Sequence, residues 1–106
     1  MRLIALVGKS GTGKSFKAID VCKDKDIDGI IDDGLFIFRG QIASVHSAKK
    51  DKTKIGAIKT ALFVYDKHAD EVIKSIKNAA PSGILIIGTS VGMVEKIRKK
   101  LKLPEF

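Results

Sequence analysis

Residues 3–15 restrict the fold more than any other part of the chain. Leu3-Ile4-Ala5-Leu6-Val7 is a continuous apolar run bounded by glycine, the pattern of a strand buried on both faces. It leads directly into Gly8-Lys9-Ser10-Gly11-Thr12-Gly13-Lys14-Ser15. From Lys14 the pattern changes to Phe16, Ile19 and Cys22 at three-residue spacing, with lysines and Asp20 between them, which predicts an amphipathic helix running to about Lys23. A buried strand that passes through a glycine loop into a helix is the opening unit of a layered α/β domain.

The alternation continues along the chain. Ile27–Asp33 is a second short apolar segment that ends in Asp32 and Asp33 before Gly34. Leu35–Phe38 and Gln41–Val45 flank Arg39-Gly40 and predict a β-hairpin with a two-residue turn. Its four consecutive apolar residues need cover, from a helix or from a second copy of the chain. Ser47–Lys54 is the most polar stretch, and Thr53 is placed to cap a helix in which Ile55, Ile58 and Leu62 share one face. A third helix starts around Asp66–Asp70, turns Val72, Ile73 and Ile76 inward, and ends near Ala80 before Pro81-Ser82-Gly83. Ile84–Ile87 reads as another buried strand, closed by Thr89-Ser90, which can cap a last helix. There Met93, Val94, Ile97 and Leu101 oppose Lys96, Arg98, Lys99, Lys100 and Lys102. The expected architecture is a three-layer α/β sandwich with a small, largely parallel sheet of residues 3–7, 28–32 and 84–88 plus one hairpin. At 106 residues it forms a single domain, 1–106.

Composition removes several alternatives. Hydrophobic residues at 44% and charged residues at 30% exclude disorder and fibrous folds as readings of the whole chain. No apolar run approaches the ~20 residues that cross a bilayer, and the short run after Met1-Arg2 meets a glycine loop instead of a cleavage site, so no membrane association and a cytoplasmic location are expected. Cys22, the one cysteine, permits no intrachain disulfide, suits a reducing compartment, and reads as core packing on a helix. His46 and His68 stand apart with no ligand spacing and read as surface or capping residues. The net charge of +8 is segregated: residues 1–45 hold 7 Lys/Arg against 6 Asp/Glu, and residues 46–106 hold 13 against 6. Such a field attracts nucleic acid, nucleotides or acidic partners without choosing among them.

The glycine loop narrows that choice. Glycines let successive backbone N–H groups curl inward as an anion nest, and a helix beginning near Gly13 adds its free N–H groups and positive dipole end. Lys14 is then placed to reach β- and γ-phosphate oxygens, and the Ser15 hydroxyl to ligate Mg²⁺. Gly8, Lys9, Ser10, Gly11, Thr12, Gly13, Lys14 and Ser15 are accordingly the candidate nucleotide-binding residues.

Through Gly8–Ser15 and the strand and helix around it, the chain resembles the P-loop NTPase superfamily. Overall it is similar to small bacterial ATP-binding proteins in which such a loop precedes a segment like Ile30-Ile31-Asp32-Asp33-Gly34. The resemblance implies ATP and Mg²⁺ as ligands, Lys14 as a catalytic residue, and a strand-end carboxylate that holds the metal or its water shell. Asp32 and Asp33 are the candidates for that role, against a second reading as turn residues before Gly34. A one-residue shift of the strand exchanges their directions, so the sequence leaves both open. In most relatives the carboxylate strand comes later, yet here the later strand ends in Gly88-Thr89-Ser90 with no acid. Thr89 resembles the strand-end residue that senses the γ-phosphate in some of these ATPases, and equally reads as a helix cap. Three parallel strands fall short of the five or so usual in relatives. A homodimer through the 35–45 hairpin, or a further C-terminal strand, is therefore expected.

Three functions follow as expectations. The first is Mg-dependent ATP binding with slow or regulated hydrolysis, since no glutamate stands beside the aspartates as a general base. Adenine is favoured because the guanine-reading pattern is missing: Ala48-Lys49-Lys50-Asp51 has its spacing but lacks its first residue. The second is a small-molecule kinase, with Lys49, Lys50, Lys52 or Lys54 of the 44–54 loop acting as a lid; the same run also reads as a solvated loop. The third is a non-enzymatic nucleic-acid or protein interaction module using the basic second half, although aromatic residues for base stacking are not interleaved there.

Overall fold

The computed structural model describes residues 1–9, 14–43 and 53–106, with backbone alone for 14–16 and 19. Nine elements follow in the order β1 (Arg2–Val7), α1 (Lys14–Lys25), β2 (Gly29–Asp32), β3 (Leu35–Phe38), β4 (Gln41–Ile42), α2 (Lys54–Ala61), α3 (Asp66–Ala79), β5 (Gly83–Gly88) and α4 (Val91–Lys100). The strands form one five-stranded sheet in the order β1-β5-β2-β3-β4. β5 pairs in parallel with β1 (Leu3 opposite Ile84) and with β2 (Ile30 opposite Leu85), while β2–β3 and β3–β4 are antiparallel.

The sheet is therefore mixed, which corrects the largely parallel arrangement expected, and it reaches five strands within one chain. The cause is a second hairpin. Asp33 (φ 50°) and Gly34 (φ 84°) form the two-residue turn between β2 and β3, just as Arg39 (φ 52°) and Gly40 (φ 80°) join β3 to β4. Two successive positive-φ residues match the right-handed twist of the flanking strands, and Asp-Gly is among the strongest sequences for that turn. Arg-Gly is weaker; here the Arg39 guanidinium lies 5.1 Å from the centre of the Phe38 ring, a cation–π contact that supports the conformation.

Side-chain alternation splits the core between the two sheet faces. On one face Leu85 and Ile87 pack with Ala18 and Ile27, joined by half-buried Val21, Cys22 and Ile30, so α1 covers the β1–β5–β2 part. On the other, Ile84, Ile86, Ile31 and Phe36 meet Phe63, Val72, Ile76, Val94, Ile97 and Leu101, so α3 and α4 lie there. A helix thus covers the Phe36 side of the hairpin; on the other side Ile42 stays 61% exposed. The Phe16 and Ile19 side chains, and Ser44 and Val45 of the expected hairpin, lie outside the described residues.

Helix ends depart from the sequence reading by a residue or two. α1 runs to Lys25, and α2, α3 and α4 are followed by Phe63, Ala80 and Lys102 at positive φ, places where glycine is commoner. After α2 the Val64 N–H reaches the Lys59 carbonyl and the Phe63 N–H that of Thr60, closing the helix without glycine. Thr53 caps α2 as expected, its hydroxyl accepting from the Gly56 N–H at 2.9 Å. The apolar face expected for α2 is not turned inward, since Ile55 is 69% exposed.

Two ion pairs tie up part of the basic excess. Lys100 on α4 holds Asp66 at the start of α3, and Arg98 grips Glu95 through Nη2–Oε2 at 3.0 Å and Nε–Oε1 at 3.2 Å. The hydrogen bond from each cation, aided by its charge, holds both carboxyls below their ordinary values. A depressed carboxylate stabilises the fold above its unfolded value, near about pH 4, and that contribution is lost as pH falls through the lower folded value. We predict that Asp66→Asn with Glu95→Gln lowers stability at neutral pH and flattens its decline below about pH 4 in urea titrations. Superimposable curves for the variant and the wild type would show that the pairs contribute nothing.

Candidate functional site

The three parallel strands deliver their C-terminal ends to one edge of the sheet. Side by side there, in the order of the strands, Val7 passes into Gly8, Gly88 into Thr89, and Asp32 into Asp33. The Gly8 N–H donates to the Gly88 carbonyl at 3.1 Å, which prolongs the β1–β5 pairing one step past the strands. Neighbouring strands lie about 4.8 Å apart, so the end of β2 is about 10 Å from that of β1, with Thr89 between. Ligands of open α/β sheets gather at such an edge.

The glycine motif bridges this edge and α1. Gly8 and Lys9 leave β1, Lys14 and Ser15 are the first two residues of α1, and Ser10, Gly11, Thr12 and Gly13 lie outside the described residues. The register resolves the two aspartates. Ile30 belongs to the α1 face and Ile31 to the opposite face, so alternation puts Asp32 on the α1 side of the sheet. Asp33 has left the strand and occupies the first position of the turn. The turn reading thus holds for Asp33.

That turn is clamped from the α3 side. The Gly34 carbonyl accepts from His68 Nε2 at 2.8 Å, which fixes the proton on that nitrogen, and His68 stacks on Phe63 with centroids 4.6 Å apart and planes 17° from parallel. A Cβ on Gly34 would stand 2.9 Å from Thr60 Cγ2 and 3.2 Å from His68 Cε1. His68 is only 4% exposed, so the surface or capping position expected for it is corrected: it is a buried strut beneath the acidic turn. His46 lies outside the described residues.

At the end of β5 the cap of α4 is Ser90, whose hydroxyl accepts from the Met93 N–H at 3.1 Å. Thr89 is therefore not the cap. Its N–H and hydroxyl both point at Met93 Sδ, at 3.4 and 3.5 Å, and its side chain is exposed at the edge. α4 sits close on the strand, since a Cβ on Gly88 would come within 2.7 Å of Val94 Cγ1.

Beside these residues opens a cleft of about 690 Å³ between α2 and the start of α4, lined by Asp33 and Thr89 together with Lys54, Ala57, Ile58, Ala61, Leu62, Ser90, Gly92, Met93 and Lys96. Two expected site residues thus share one cavity. Of the basic loop only Lys54 falls on it; Lys49, Lys50 and Lys52 lie outside the described residues. The helical wall was not anticipated, although outward isoleucines on α2 are the signal that such a cleft leaves. Among the described residues no helix is long and apolar enough to cross a membrane. Comparison with protein-family models, curated proteins and solved structures gave no match.

Because Gly34 is buried, loss of its partner strands a carbonyl, at about 1–3 kcal/mol. His68→Leu should therefore lower unfolding free energy by about that amount, and Gly34→Ala by a similar 1–3 kcal/mol through strain at positive φ and the Thr60 contact. Denaturant titration of both variants measures this; wild-type stability in either would remove the clamp from the account.

Proposed function

We propose that the protein binds a nucleoside triphosphate, ATP in preference to GTP, together with Mg²⁺ at the edge formed by β1, β5 and β2, and hydrolyses it slowly. One observation carries the reading. Gly8-x₄-Gly13-Lys14-Ser15 runs from the end of the half-buried edge strand β1 to the first turn of a helix, and a strand–loop–helix setting is the one in which the motif's amides, lysine and hydroxyl converge on a polyphosphate. The reading is that of a P-loop, on a sheet in which two antiparallel strands extend three parallel ones.

The neighbouring residues support it. α1 begins with Lys14 and Ser15 and packs on the sheet face to which Asp32 belongs, so the reading assigns the cation to the Ser15 hydroxyl and the Asp32 carboxylate. One hydroxyl and one carboxylate, with phosphate and water completing the shell, suit a small hard cation such as Mg²⁺. Asp32 is accordingly the metal-side acid, and Asp33 the acid of the neighbouring cleft. Thr89, at the end of the intervening strand, is on this reading the residue that meets the terminal phosphate. Slow turnover follows from the absence of a glutamate next to Asp32 in the sequence, which leaves no evident general base to orient attacking water. A small-molecule kinase is the second reading, favoured by the cleft that opens next to Asp33.

Ligand-linked stabilisation tests the first reading. At a hundredfold excess over its dissociation constant a ligand adds about 2.7 kcal/mol. MgATP should raise the melting temperature and GTP should raise it less; Lys14→Ala should abolish the shift, and Asp32→Asn should remove its dependence on Mg²⁺ while Asp33→Asn retains it. Equal shifts in wild type and Lys14→Ala would overturn nucleotide binding at the loop. Rapid transfer of phosphate to an acceptor, without phosphate release, would replace hydrolysis by the kinase reading.

A further inference from the structure

The α2 and α4 walls of the cleft carry no residue of the glycine motif, and their chemistry is particular. Ala57 and Ile58 of α2 and Leu62 just after it line the cleft with Met93 of α4, and Ile58 is 51% exposed although it lines the cavity. Lys54 and Lys96 stand on the same lining, and among the described residues neither forms an ion pair, whereas Arg98 and Lys100 on α4 both do. Neither α2 nor α4 has an acidic residue in its first turn, and Lys54 occupies the first position of α2, where the positive end of the helix disfavours a cation. Both helix starts border the cleft, through Lys54 on one side and Ser90 and Gly92 on the other. Apolar walls therefore lie under an unbalanced positive field, with Asp33 the one carboxylate among the described lining residues. At Gly92 the space is open: only the Ser90 hydroxyl lies as near as 4.0 Å to where a Cβ would stand.

We infer that this cleft is a second ligand site, for a small amphipathic anion whose apolar body packs on Ile58, Leu62 and Met93 while its anionic head faces Lys54 and Lys96. The volume of about 690 Å³ falls within the range of roughly 300–1,000 Å³ usual for small-molecule sites. Apolar contact supplies most of the affinity and the two lysines select the charge. No residue of the glycine motif is among the described lining, and Thr89 is the point at which the cleft meets the nucleotide edge.

A titration followed by ¹H–¹⁵N NMR tests this, using 2-naphthoate as the amphipathic anion and 2-naphthylmethanol as its neutral counterpart. Naphthoate should give saturable shifts at the Ala57, Ile58, Gly92 and Met93 amides, and the alcohol should bind about fivefold more weakly or worse, the worth of two partly exposed charge contacts. Lys54→Gln with Lys96→Gln should bring naphthoate down to the affinity of the alcohol. Gly92→Phe, which projects a ring into open space, should abolish binding of both. The inference is overturned if the alcohol binds as well as naphthoate, if Gly92→Phe binds like wild type, or if the shifts centre on Gly8 and the start of α1. Lys14→Ala, titrated in parallel, should bind naphthoate like wild type whether or not it binds ATP, which separates this result from the fate of the nucleotide reading.

Discussion

The burial of β5 between two parallel neighbours is the constraint on which the arrangement depends. All six of its residues are buried; Ile84 and Ile86 face α3 and α4, while Leu85 and Ile87 face α1. A strand buried along its whole length on both faces fits the centre of the sheet, and a central parallel strand fixes the spacing of those beside it. The distance between the glycine loop and the aspartates is consequently set by hydrogen bonding in the sheet and not by flexible side chains. The far end is anchored too, because the Asp28 carboxylate accepts from the Ser82 and Gly83 N–H groups at 3.2 and 3.3 Å as the chain enters β5.

A second layer of support holds the acidic turn. Thr60, Phe63 and His68 come from the end of α2, the residues after it and the start of α3, and they converge on Gly34. Phe63 is fully buried at φ 58°, an uncommon conformation for a bulky residue, and persists because its ring fills the core against His68. The α2–α3 connection is thus held by packing under the turn, and the same packing leaves the outer face of α2 toward the cleft.

The elements that could be read in advance were those with strong local signals. The strands at 3–7 and 84–87, the Thr53 cap and the Val72/Ile76 face of α3 appear where the sequence places them, but 3–7, expected to be buried on both faces, is a half-buried edge strand because only β5 pairs with it. The β2–β3 hairpin carried an equally strong signal in Asp33-Gly34; the turn stands there beside a chemical reading of the carboxylates, and the antiparallel pairing it implies was not among the expectations. Strand order could not be read, because nothing local to Ile84–Ile87 says that it inserts between β1 and β2. The direction of Asp32 depended on that register. His68 was misplaced for a related reason: its partner Gly34 is distant in sequence, so its burial has no local signature.

The order of the strands also bears on how the chain reaches this arrangement. The β2–β3 and β3–β4 pairings join immediate neighbours, with Asp32 opposite Leu35 and Phe38 opposite Gln41, so they close short loops. β1 has no partner until β5 arrives, and there Arg2 must find Gly83 across most of the chain. Closure of that long loop carries a larger entropic barrier than the hairpins do. The meander and the α3 packing are then the early scaffold, and the edge that gathers Gly8, Thr89 and Asp33 comes into being only when the last strand slots into place. On a ribosome that edge can assemble only after Gly83–Gly88 has emerged.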